Sequence, residues 1–149
     1  MCLGNICRSP LAENVFRHLV REAGLDSRFE VDSAGTGSWH IGESPDARAT
    51  MVARNHGIEL EGRARQVTPD DLRRFDYVLA MDRDNLRSLE RLAGARDVSA
   101  DIRLLRHYDP QEGGDEVPDP YYGGASGFEN VFEIVKRSCQ GLLAELRRP

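Results

Sequence analysis

The sequence predicts an α/β fold built on a parallel sheet, and three observations predict it. Segments with helical apolar spacing alternate with short apolar runs of strand length. Three of the helical segments open on Ser-Pro or Thr-Pro signals, where a proline in the first turn costs no hydrogen bond. The chain has 149 residues and is 40% hydrophobic and 30% charged, which suits one globular domain over 1–149 and excludes global disorder.

Taken in order, Ser9-Pro10 reads as an N-cap and first helical position, and Leu11, Val15, Phe16, Leu19 and Val20 continue at helical spacing until Gly24. Phe29 to Ser33 is a short strand candidate leading into the loop from Gly35 to Gly42. Ser44-Pro45 starts a second helix that ends near His56-Gly57. Thr68-Pro69-Asp70-Asp71 repeats the start signal, with Asp71 placed to complete a box-like cap. Asp76 to Met81 is the clearest buried strand, Asp82 caps a helix that runs to Leu92, and Ile102 to Leu105 is a further strand. From Arg106 to Gly127 the chain is rich in Pro, Gly and acids and reads as one long loop, the kind that is functional in a compact domain. The last helix sets Phe128, Phe132, Val135, Cys139, Leu142 and Leu146 on one face, which makes Cys139 a small core residue. A parallel sheet of this kind is expected to open with a strand, yet only Met1 precedes Cys2.

Composition narrows the function classes. A net charge of -5 gives no general attraction to nucleic acid, and no apolar run reaches the roughly 18 residues of a membrane helix. A soluble, cytoplasmic protein is therefore expected, with no nucleic acid and no membrane among its partners. All basic residues but Lys136 are arginines, a bias that a GC-rich genome also produces. The three cysteines, Cys2, Cys7 and Cys139, form no disulfide framework, and no paired Cys/His spacing suggests a metal site.

Two of those cysteines fall in one loop, Cys2-Leu3-Gly4-Asn5-Ile6-Cys7-Arg8-Ser9-Pro10. Gly4 and Asn5 are the residue types that most readily adopt left-handed backbone, which turns successive N–H groups inward as an anion-binding concavity. The loop runs into a helix N-terminus, whose unpaired N–H groups and dipole favour the same anion. A cysteine there is favoured as its thiolate. Arg8 closes the ring with a planar fork suited to two phosphate oxygens. Such a loop binds a tetrahedral oxyanion and presents a sulfur nucleophile to its centre.

The run CLGNICRSPLAE resembles the phosphate-binding loop of the low-molecular-weight protein tyrosine phosphatases. The similarity continues through DSAGTGSWHIGESPDARA, NHGI, RARQVTPDDL, FDYVLAMDRDNLRSL, VPDPYYGG and FENVFEIV, and so covers the whole chain. This resemblance implies a four-stranded parallel sheet flanked by helices on both faces, with the loop between first strand and first helix. It also implies hydrolysis of protein phosphotyrosine through a cysteinyl-phosphate intermediate, with no metal and no other cofactor.

Carried over residue by residue, Cys2 is the expected nucleophile and Arg8 the clamp for the phosphoryl oxygens. Backbone N–H groups of Leu3, Gly4, Asn5, Ile6, Cys7 and Arg8 complete the cradle. Ser9 is expected to donate to the thiolate of Cys2, a role that competes with capping the helix. Asn5 fixes the loop; some relatives support it with a histidine where Gly62 stands here. A phenolate leaving group needs a proton donor, and the resemblance selects Asp119 over the similar Asp109-Pro110. Asp119 then serves as base for water in the second step. Trp39, with Tyr121 and Tyr122 opposite, is the expected wall of a slot deep enough for a phenyl ring, too deep for the shorter phosphoserine. Asp82 reads as a structural cap.

Cys7 is either a small buried residue or a resolving thiol that traps oxidised Cys2 as a disulfide. On the second reading peroxide inactivates reversibly, and Cys7→Ser recovers less activity. Two other functions share the loop. Thiol-dependent arsenate reductase needs further cysteines after the strand DYVLAM, and Ala80 to Leu92 contains none. An inactive phosphoprotein-binding module needs no Cys2, Arg8 and Asp119 together. Because the family's nucleophile follows a central apolar strand, the native product is expected to begin several residues before Met1, which the intact mass from the native locus would test. The rival expectation is that these 149 residues are complete and fold poorly or borrow a strand.

Overall fold

The computed structural model describes residues 1–94, 98–120 and 125–148. Among these residues five α-helices and two strands follow in the order α1 (Arg8–Glu22), α2 (Ala47–Asn55), α3 (Asp71–Arg74), β1 (Tyr77–Ala80), α4 (Arg83–Ala93), β2 (Asp101–Leu104) and α5 (Ala125–Leu146). β1 and β2 pair in parallel with Tyr77 opposite Asp101 and Ala80 opposite Leu104, as the α/β reading requires. Alternation along β1 splits the core. Val78 and Ala80 pack with Leu72 and with Leu89 and Ala93 of α4, whereas Met81 joins the larger cluster formed by α1, α2 and α5. Helices thus cover both faces.

The sheet is less continuous than four full strands. Among the described residues, the pairing beyond β1 and β2 consists of single bridges, Cys2 to Gly35 and Gly35 to Gln66, both parallel. Met1 donates its ammonium to Leu79 O at 2.7 Å and accepts from Met81 N at 3.0 Å, which sets Met1–Cys2 between β1 and Gly35. Phe29–Ser33, expected as a strand, forms none: the pairing with Cys2 falls later, where Cys2 N donates to Ala34 O and the bridge is made at Gly35.

Three helix starts differ from the sequence reading in instructive ways. α1 begins at Arg8 with Cys7 as N-cap, so Ser9 lies inside the first turn and Pro10 still falls where no N–H is needed. α2 begins after Asp46, whose carboxylate accepts from the N–H groups of Arg48 and Ala49; an acceptor with that geometry outcompetes Ser44. α3 begins only at Asp71, and one half of the expected box forms: Asp71 accepts from Thr68 N at 2.8 Å, while Asp71 N donates to the Thr68 carbonyl and not to its hydroxyl. Asp82 caps α4 as expected, accepting from Asn85 N at 2.8 Å. On α5, Phe128, Phe132, Val135 and Cys139 are all fully buried. No helix among the described residues is long and apolar enough to cross a membrane.

Candidate active site

The loop from Cys2 to Arg8 is wrapped around a buried sulfur. Cys2 is 3% exposed, and its Sγ lies 3.0 Å from Ser9 Oγ and accepts from Asn5 N at 3.3 Å. Asn5 adopts φ 58°, the one non-glycine left-handed residue among those described, and this turn aims its amide N–H at the sulfur. Backbone bonds clamp the loop from outside: Thr36 N to Cys2 O and Gly37 N to Leu3 O, both 2.9 Å, and Asp46 N to Ile6 O at 2.8 Å. The clamp requires glycine at position 35, where a Cβ would stand 2.7 Å from Leu3 O.

Asn5 is held without a histidine. Its Oδ1 accepts from Arg65 N at 3.0 Å, and its Nδ2 donates to Ser9 Oγ at 2.7 Å and to Ser33 Oγ at 2.9 Å. Gly62 faces open space and takes no part. Arg65 is itself fixed by a bidentate pair with Asp71 and a bond to Asp32. Burial alone would raise the Asp71 carboxyl, but bonds from Arg65 and Thr68 outweigh it and hold it below the usual carboxylate range.

Arg8 is 3% exposed and donates NH1 to Asp82 Oδ2 at 2.6 Å and to Val117 O at 2.9 Å. Its NH2 stands 3.7 Å from Asp119 Oδ2. Asp82 therefore does two jobs at once, capping α4 with one oxygen and orienting Arg8 with the other. The sequence reading saw only the cap. The two Asp-Pro pairs separate sharply. Asp119 is half exposed and lines the cavity over Cys2, whereas the Asp109 side chain is buried between Arg106 and Arg137.

That cavity, of about 410 Å³, is lined by Cys2, Leu3, Gly4, Ile6, Cys7, Arg8, Trp39, His40 and Asp119. Trp39 is 72% exposed, so it is a wall rather than core. His40 was missed by the sequence reading; it bonds Glu43 at 2.6 Å, and nothing in the local pattern marks it as lining. Tyr121 and Tyr122, the expected opposite wall, lie outside the described residues. Cys7 shares the cavity wall. Burial, reinforced by the negative charge of Asp46, pushes its thiol up to about 12, so at neutral pH it is a neutral thiol.

Chemically, the arrangement offers a sulfur held by donors, a fixed guanidinium and a carboxylate at the mouth of one pocket. Comparison with known proteins points the same way. A family model described as low molecular weight phosphotyrosine protein phosphatase matches residues 1–149. A low molecular weight protein-tyrosine-phosphatase of Streptomyces coelicolor is 52% identical over 149 residues, covering 99% of this chain and 91% of the relative. The crystal structure of YfkJ from Bacillus subtilis superposes with a TM-score of 0.91 at 44% identity, covering 98% of this chain and 91% of that one. A protein tyrosine phosphatase from Entamoeba histolytica, solved with Hepes in its active site, gives 0.92 at 37% identity over 97% and 92%. With its loop, its fold and these likenesses over nearly the full length, the chain belongs to the low molecular weight protein-tyrosine-phosphatase family and is an enzyme of that class.

Proposed function

We propose that the protein hydrolyses phosphotyrosine in proteins, and small aryl phosphates, through a cysteinyl-phosphate on Cys2. The observation that carries this reading is the convergence of Cys2 Sγ, the Arg8 guanidinium and the Asp119 carboxylate on one cavity beside Trp39. The Cys2 thiolate attacks phosphorus while Asp119, protonated at this stage, gives its proton to the departing phenolate oxygen. Water then attacks the phosphocysteine, Asp119 takes its proton, and the thiolate leaves with phosphate as product.

Arg8 supports both steps. With NH1 committed to Asp82 and Val117, its NH2 and Nε edge remains to hold two equatorial oxygens as charge spreads over them. The N–H groups of Leu3 through Arg8 supply the rest of the cradle, so the reaction needs no metal or other cofactor. The Hepes seen in the relative carries a sulfonate, an oxyanion of similar shape, in keeping with a loop that takes tetrahedral anions. Trp39, with Tyr121 and Tyr122, forms the slot for the phenyl ring. Cys2 oxidised by peroxide to the sulfenic acid condenses with the thiol of Cys7, which shares its cavity, to give a disulfide and water.

At the level of the chain, one domain over 1–149 carries the site on a four-stranded parallel sheet, a reading supported by the pairing of β1 with β2, of Met1 with β1 and of Cys2 with Gly35. The composition fits a cytoplasmic enzyme. Hydrolysis of para-nitrophenyl phosphate with a chelator present tests the reading. Activity should vanish in Cys2→Ser, persist with chelator and fall sharply in Asp119→Ala for the poorer leaving groups. Activity that survives Cys2→Ser would refute it.

A further inference from the structure

With Cys2 as its thiolate, which can only accept, every hydrogen in the polar chain behind it can be assigned by elimination. The N–H of Arg65 can only donate, so the Asn5 atom facing it at 3.0 Å must be the carbonyl oxygen. The amide of Asn5 is thereby locked, and its NH2 group faces two hydroxyls. One Nδ2 hydrogen goes to Ser9 Oγ at 2.7 Å, which makes Ser9 an acceptor there and leaves its own proton for Cys2 Sγ at 3.0 Å. The other goes to Ser33 Oγ at 2.9 Å, so Ser33 must also spend its proton elsewhere. It donates to Glu13 Oε1 at 2.6 Å.

Glu13 ends the chain. A carboxylate is an acceptor only, and its second oxygen takes Arg17 NH2 at 2.8 Å. Glu13 also follows Ser9 by four residues on α1, so one helix carries both ends of the network on one face. Donors therefore run outward from Asn5 in two directions, to Ser9 and Cys2, and to Ser33 and Glu13. Asn5 and Ser9 are both buried, and no water is needed to complete the pattern. In low-dielectric surroundings such a chain acts as a unit, and loosening one end weakens the bond at the other.

We propose that Glu13 is a positioning residue for the reaction: acting through Ser33 and Asn5, it keeps the Ser9 proton directed at Cys2 Sγ. This rests on Cys2 being the nucleophile. Without the Glu13 acceptor, the Ser33 hydroxyl turns, Asn5 loses the partner for its second hydrogen, and Ser9 is no longer held with its proton on the sulfur. The thiolate is then less stabilised both at rest and when it departs from phosphorus.

The test uses Glu13→Ala, Glu13→Gln and Ser33→Ala, with the pH dependence of Cys2 alkylation by iodoacetate and the pre-steady-state burst of nitrophenolate as readouts. In Glu13→Ala and Ser33→Ala the alkylation midpoint should move to higher pH, and breakdown of the phosphoenzyme should slow about five- to tenfold, the size of one hydrogen bond. Glu13→Gln, which keeps an acceptor oxygen, should restore most of both. The double variant should be no worse than either single one, as expected for residues in one chain. An unmoved alkylation midpoint in folded Glu13→Ala and Ser33→Ala would overturn the proposal, even if stability fell. Failure of the nucleophile reading looks different: wild type itself would give no burst, and Cys2→Ser would stay active.

Discussion

Arg8 shows how much of a side chain's geometry in the candidate site can be settled before any ligand arrives. It is almost wholly buried, and one carboxylate, Asp82, both caps α4 and takes Arg8 NH1 at 2.6 Å. The two duties can be separated by mutation. Asn is as good an N-cap as Asp but cannot neutralise a guanidinium, so Asp82→Asn should keep the cap yet lose the stability of the buried pair with Arg8, and kcat/KM should drop about tenfold or more. Asp82→Ala should lose activity and, in addition, about 1–2 kcal/mol of stability for the lost cap. Urea melts beside steady-state kinetics would read both; equal stability losses in the two variants would contradict the division. At this scale the left-handed turn at Asn5 was legible in the sequence, whereas Gly4, expected to share that backbone, does not adopt positive φ. The partners of Asn5 and Arg8 were not legible. Ser33, Arg65 and Asp82 come from distant parts of the chain, and no local pattern announces which backbone N–H will meet Asn5. Ser9 was expected to serve either the sulfur or the cap, and its first-turn position sets its hydroxyl beside the sulfur.

Elements were most legible where periodicity is strong, as in α5 and β1, and least where pairing depends on a neighbour. Phe29–Ser33 has strand composition, yet the bridge to Cys2 is made at Gly35. The packing of α5 makes a prediction that runs against propensity. Gly141 lies inside this helix, where replacing glycine by alanine ordinarily gains about 1 kcal/mol. Here a Cβ would stand 1.9 Å from the carbonyl oxygen of Tyr108, in the 3-10 turn Leu105–Tyr108 that follows β2. Gly141→Ala should therefore destabilise by about 1–3 kcal/mol, the usual cost of overpacking. A thermal melt that rises in this variant would show that α5 and the turn are not in close contact. On the opposite side, α2 is tied to α5 by His56, which stacks on Phe132 with centroids 4.1 Å apart and bonds Glu129 at 2.6 Å.

At the scale of the molecule, two shielded carboxylates, Asp109 and Asp71, tie separate parts of the chain together, and they set its response to acid. Asp109 joins Arg106 and Arg137, anchoring the acid-bearing loop to α5; burial alone would raise its carboxyl, but the bonds from Arg137 and Gln111 N hold it below the usual range. Asp71 is held down in the same way by Arg65. A depressed carboxyl contributes stability that is complete above the unfolded value, about 3.9 for aspartate, and is lost as pH falls through the folded value. Stability should therefore fall steeply below about pH 4, and Asp109→Asn should be less stable at pH 7 with a shallower acid limb. Urea midpoints at pH 7 and pH 3 would check this, and parallel acid limbs would contradict it. Fold class was readable across the chain because helix and strand signals alternate, whereas the short reach of the pairing around Cys2 is a tertiary property. The account centres on one sulfur, so the most direct measurement is the intact mass of enzyme quenched during turnover of an aryl phosphate. One added phosphoryl group, mapped to Cys2 and absent in Cys2→Ser, is the predicted result. Turnover with no phosphorylated species, or with phosphate on another residue, would contradict it.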